Sequence, residues 1–220
     1  CVVNEVSPFG KKETFINKAV KTIKIFGSIF FLYYSFKYLF SKIKNKKVSR
    51  LLKLSDIPEI SLNESVNSKA SLDKIKSYEP DLLISILGNQ IFKKPLLRLA
   101  PKGCINLHTA LLPKYRGLMP TFWVLRNCEP YTGVSVFFVD EGIDSGPIIV
   151  QKKIKIGNMT QAELIKHSKK LGMDAISEAV KLIINEDFKL ITNDESKKTY
   201  YSFPTKSDVS EFKKLGKNFF

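Results

Sequence analysis

At 220 residues, 44% of them hydrophobic, the chain is long enough to bury one sizeable core and too apolar to be a disordered tail. Its 36 Lys and Arg against 21 Asp and Glu give a formal charge of +15, with lysine spread along the length. That reads as a solvated basic surface, attractive to phosphorylated substrates or an anionic membrane, rather than as a dedicated nucleic-acid groove.

Cys1, Cys104 and Cys128 form neither a C-x-x-C pair nor a zinc spacing, and their odd number argues against a disulfide framework; a reducing cytoplasm is the expected setting. In chain order, "CVVNEV" reads as a short strand ended by the turn "SPFG". A first residue in mid-strand, with neither initiator Met nor secretory leader, predicts a true N-terminus further upstream. Thr14 caps a helical stretch that loosens near Ser55. From Ile25 to Phe36 no residue is charged, and aromatics lie on every face. Too short to cross a bilayer, this run suits a helix packed under a neighbouring layer or a partner subunit. With lysines on both sides and "KIKNKK" behind it, it also suits a peripheral membrane contact through residues 23–47.

"IPEISL" reads as a strand, and "SLDKIKSYEP" as a helix opened by Ser71 and closed before Pro80. "DLLISIL" is a continuous apolar run, predicted to be a central parallel strand covered on both faces. A short helix "KKPLLRLA", a strand "GCINLHTAL" and a helix "PTFWVLRN" with Pro120 in its first turn follow. "TGVSVFFVD" and "PIIVQKKIKI" are strands on either side of the loop "EGIDSG". Thr160 and Glu163 form a capping box for a helix with Leu164, Leu171, Ala175, Ile176, Ala179 and Ile183 at helical spacing. The tail is extended, then weakly helical from Ser207. Alternating strands and helices predict an α/β fold with a mainly parallel sheet and helices on both faces. The domain spans 1–190, with a helical insertion over 15–50, and 191–220 is a C-terminal tail.

In such sheets the crevice lies beyond the carboxyl ends of the strands, where "GNQ", "NLH" and "EGIDSG" fall. Asn106 and His108, two apart on one strand, project from the same face. Two polar side chains there must both find partners, and Asp144, between loop glycines, is a candidate to supply one. If the three converge, an amide and an imidazole face one carbonyl oxygen while the carboxylate orients the ring and takes a proton from an attacking amine. No serine or cysteine stands as a covalent nucleophile, so direct acyl-type transfer fits. Trp123 reads as a core anchor, His167 as solvated surface and Cys104 as packing.

"INLHTALLPKYRG…P" and "TGVSVFFVDEGIDSGPIIVQ" together resemble the folate-dependent formyltransferase family, over about Pro80 to Leu182. The resemblance implies a Rossmann-like formyltransferase sheet, starting here at what would be its second strand, and catalysis by Asn106, His108 and Asp144. It implies a 10-formyltetrahydrofolate donor bound by Leu87, Gly88, Asn89, Gln90 and Ile91 with Val139, Asp140, Glu141 and Gly142, and no metal. Tyr115, Arg116 and Gly117 are acceptor-site candidates; Arg116 either meets an acceptor phosphate or braces its own loop. Nothing after Leu190 resembles the extra RNA-binding domain of the methionyl-tRNA enzymes, so the expected acceptor is a primary amine on a sugar, nucleotide- or lipid-linked, with nucleic acid outside the expectation. Methionyl-tRNA or glycinamide ribonucleotide formylation, hydrolysis of the donor, and a non-catalytic membrane-associated or RNA-binding module are the alternatives.

Overall fold

The computed structural model describes residues 1–2, 14–43, 48–88 and 90–220. Most of the "CVVNEV" strand, the "SPFG" turn, most of the "KIKNKK" run and Asn89 lie outside those residues. Within them the chain is α/β. Its strands are β1 (Leu83–Ile86), β2 (Cys104–His108), β3 (Arg116–Gly117), β4 (Tyr131–Phe138), β5 (Ile148–Lys155) and β6 (Tyr200–Tyr201). The main sheet has the order β1-β2-β4-β5, and β3 pairs in parallel with β6 in a small second sheet.

β1 runs parallel to β2, while β2 with β4 and β4 with β5 pair antiparallel, so the main sheet is mixed. Loop length explains the second half: residues 139–147 suffice for a reversal between β4 and β5, but a parallel return needs a crossover of roughly a dozen residues or more. β1 corrects the expectation of a central strand. It is the edge of the sheet among the described residues, and Ile84 and Ile86 are 45% and 44% exposed. An apolar run records that a strand can be covered, not what covers it. The expected "IPEISL" strand is irregular, with one rung of pairing in which Cys1 N donates to Pro58 O (2.6 Å) and Ile60 N to Cys1 O (2.7 Å).

The long helical stretch divides into α1 (Phe15–Phe26), α2 (Ser28–Ile43) and α3 (Val48–Leu54). Thr14 caps α1, its hydroxyl accepting from Asn17 N, and Gly27 at φ +94° breaks α1 from α2. α4 (Lys69–Lys76) is capped by Ser68 rather than opened by Ser71, and α5 (Lys94–Leu97) and α6 (Pro120–Arg126) each carry proline in the first turn. Val66, Ile75 of α4 and Leu96 of α5 form a small cluster against Leu83 of β1. α7 (Gln161–Ile184), opened by the Thr160–Glu163 capping box, packs its Leu164, Ala175, Ile176, Ala179 and Ile183 into the main core. α7 thus lies on β2, β4 and β5, and α4 and α5 sit beside β1. α8 (Lys206–Lys214) has its own capping box from Thr205 and Asp208, and adds Val209 and Phe212 to that core.

Candidate active site

The period-two alternation of β2 separates its packing residues from its chemistry. Leu107 turns toward α7, so closely that a methyl on Gly172 would stand 2.6 Å from Leu107 Cδ2. Asn106 and His108 take the opposite face, where His108 is paired in register with Ser135 of β4. His108 is buried, and its Nε2 lies 2.7 Å from Tyr115 O. A carbonyl oxygen only accepts, so the proton sits on Nε2 and the ring is fixed through that bond. Nδ1 is left to face Asp144 Oδ2 at 3.5 Å. Asn106 Oδ1 is buried without a hydrogen-bond partner.

Asp144 is held by two hydrogen bonds. Its residue sits at φ +50°, its Oδ2 accepts from Gly117 N (2.8 Å), and its carbonyl accepts from Asn193 Nδ2 (2.9 Å). Asn193 Nδ2 also donates to Gly146 O (2.8 Å), while its Oδ1 accepts from Arg116 Nη2 (2.9 Å). The Arg116 guanidinium, 4% exposed, also pairs with Glu195. Lys198 first, then Arg116, hold the Glu195 carboxyl below its usual range. Arg116 is thus placed as a loop brace turned toward the tail. Tyr115 and Arg116 gain further support from Thr199, whose hydroxyl accepts from Tyr115 N (2.8 Å) and whose carbonyl accepts from Arg116 N (2.9 Å).

The tyrosine ring stacks on Tyr201, and its hydroxyl donates to Glu129 (2.7 Å). Burial, then that bond, keeps the Tyr115 phenol well above its usual range, so it stays neutral. The preceding loop is pinned by Ser135 Oγ, which donates to Ala110 O (2.7 Å) and accepts from Leu112 N (3.1 Å) and Gln151 Nε2 (2.9 Å). Burial pushes the Cys104 thiol up to about 12, and Trp123 Nε1 donates to Ser202 O (3.0 Å) within the core. Both are packing residues, and His167 is exposed.

Around this centre the donor-site candidates fall on two neighbouring loops. Lys94 pairs with Glu141 (3.0 Å), tying the segment after β1 to the segment after β4. Leu87 and Ile91 expose apolar side chains, and Gln90 Oε1 accepts from Ser65 Oγ (2.9 Å) and Val66 N (3.1 Å). Asp140 Oδ1 shapes its own turn by accepting from Gly142 N (3.0 Å) and Ser145 Oγ (2.6 Å), and Val139 N donates to Cys104 O (2.7 Å). A groove of about 420 Å³ runs along β1 past Leu87, Gly88 and Gln90, but does not include Asn106, His108 or Asp144 among its walls. Among the described residues no group of three or more His, Cys, Asp or Glu could hold a metal ion.

Sequence reasoning missed Asn193, Thr199, Ser135 and Gln151. Each acts through an ordinary side-chain bond to a distant loop, for which spacing along the chain carries no signal.

The chain matches the formyl transferase family over residues 36–180. It is 37% identical over 147 residues to a methionyl-tRNA formyltransferase of Kosmotoga olearia, covering 66% of this chain and 47% of that one. The chain spans about half the length of such curated relatives. An N-formyltransferase from Helicobacter canadensis, solved in complex with folinic acid and dTDP-3-aminofucose, superposes with a TM-score of 0.56 at 24% identity, over 71% of this chain and 54% of that one. Phosphoribosylglycinamide formyltransferase from Bacillus halodurans gives 0.58 at 24% identity, over 64% and 76%. With the family's match spanning both β2 and the Asp144 loop, the chain belongs to the formyl transferases.

Proposed function

We propose that the chain transfers a formyl group from 10-formyltetrahydrofolate to a primary amine on a sugar, carried by a nucleotide or a lipid. The observation that supports it best is His108, locked through Nε2 to Tyr115 O with Nδ1 3.5 Å from Asp144 Oδ2, on the same strand face as Asn106. With Nε2 engaged by Tyr115 O, the Nδ1 edge of the ring is the one turned toward Asp144 and the formyl oxygen. The Asn106 amide supplies a donor to that oxygen once its nitrogen is turned inward, as stabilising an oxyanion requires. Asp144 takes up the proton that the amine loses as it attacks, and return of that proton to the donor nitrogen that carried the formyl group lets the old C–N bond break and tetrahydrofolate leave.

The folate fits this chain's residues in one respect: exposed Leu87 and Ile91 offer apolar surface to a flat ring beside the polar 139–142 loop. Leu87 to Ile91 and Val139 to Gly142 would hold it. Tyr115, Arg116 and Gly117 serve the acceptor by shaping the loop that bounds its side. The dTDP-3-aminofucose in complex with the Helicobacter protein supports the sugar acceptor. Methionyl-tRNA formylation is the second reading, favoured by the names of the curated relatives.

Asp144→Asn tests the chemistry. It keeps an acceptor oxygen for Gly117 N and removes the base, so turnover should fall about 10²-fold or more while the affinity for the folate donor changes little. Near-normal turnover would reject the role. Offering a nucleotide-linked amino sugar and methionyl-tRNA side by side identifies the acceptor, and formate release without any amine would shift the reading to hydrolysis.

A further inference from the structure

α1 and α2 have two unlike faces. On the inner side Phe26 is buried, Phe30 meets the Phe219 ring edge-on at 4.9 Å, and Lys213 Nζ donates to Phe26 O (3.3 Å). Tyr33 stacks on Phe220 at 4.1 Å. These contacts fix the pair against α8 and the last residues of the chain. On the outer side Ile29, Leu32, Phe36 and Leu39 recur at spacings of three and four, and Leu32 and Phe36 are 64% and 70% exposed. Ile16, Val20 and Ile23 make an exposed stripe on α1, as Val48, Leu51 and Leu54 do on α3. At about 100° per residue, Lys24 borders the α1 stripe, while Lys37 falls on the other side of α2, its Nζ over the rings of Tyr33 and Tyr34. From Thr14 to Ser55 the chain carries no Asp or Glu at all.

We propose that this surface docks on an anionic lipid bilayer, with α1 and α2 lying in the plane of the headgroup–acyl boundary. The helices lie rather than span. α2 has 16 residues, about 24 Å of helix against a hydrocarbon core of about 30 Å. Gly27 prevents α1 and α2 from joining into one longer rod, and no described helix is long and apolar enough to cross a membrane. Charge selects lipid over a second copy of the chain: two such faces brought together oppose lysines with no carboxylate between them, whereas an anionic leaflet attracts each lysine near it. Phenylalanine and tyrosine with flanking lysine is also the composition that partitions to the interface. This inference is independent of the formyl-transfer reading.

The test is flotation of the full chain with phosphatidylcholine vesicles, with and without phosphatidylglycerol. The chain should rise with the anionic vesicles, stay behind with the neutral ones, and be partly released by salt. Leu32→Glu with Phe36→Glu should cut binding about tenfold or more, with an unchanged melting temperature because both side chains are exposed. As a second readout, Phe36→Trp should be quenched by brominated lipid, whereas Trp123, buried in the parent chain, is not. No flotation with anionic vesicles, equal binding by the double variant, or a dimer that the double variant disperses would overturn the proposal. The last result would assign the face to a second copy.

Discussion

Asn193 makes one small side chain serve three partners: two carbonyls in the loop that presents Asp144 and the guanidinium of Arg116. Because it is buried, truncation leaves these groups without water to replace it. Asn193→Ala should therefore lower stability by about 2–3 kcal/mol, the scale of stranding buried polar groups. If it positions Asp144, turnover should also fall in enzyme that is still folded, with the acceptor KM changing less than kcat. Asn193→Asp separates the two roles, since it keeps an acceptor for Arg116 and loses both donors to the loop. Thermal melts alongside steady-state kinetics decide the matter: a variant that loses stability but keeps its full kcat would make Asn193 a packing residue only.

At the scale of elements, β3 and β6 join the loop after β2 to the tail, and Gly117 is where they touch. It sits at φ +95°, and a Cβ there would run into the Tyr201 carbonyl. Gly117→Ala should cost about 2–4 kcal/mol from left-handed strain and overpacking together, and should displace the N–H that Asp144 accepts. A drop in melting temperature with loss of turnover is the expected pair of results; a wild-type melt would show that the backbone relaxes around the methyl. The strand β2, with Asn106 and His108 on one face, and the α7 capping box are legible in the sequence because each is written in local spacing; Asp144 lies far from that pair along the chain, and its place beside His108 is set by the fold. The β3–β6 pairing is not legible, since two residues of strand leave no periodic mark and their partner lies far along the chain. β1 reads as a strand, yet its place at the edge rather than the centre is hidden, for burial depends on neighbours that a run of apolar residues does not name. Gly27 stands in plain view inside a helical pattern, but a lone glycine there is tolerated as often as it breaks the helix.

The whole molecule carries a net +15, and much of its surface is lysine. Like charges on a compact body repel, and salt relieves that repulsion over a screening length of about 10 Å at 0.1 M. Ion pairs that salt would weaken, such as Lys94 with Glu141, are exposed on both sides and contribute little. The melting temperature should accordingly rise with added KCl. If the acceptor is a nucleotide-linked amino sugar, the same field should draw it toward the crevice, so its kcat/KM should fall as salt rises, while that for the corresponding free amino sugar stays nearly level. Opposite salt slopes for stability and for capture of the charged acceptor are the signature of one basic surface acting on both. If both acceptors respond alike, the field does not steer the substrate, and the lysines serve the fold's solvation instead.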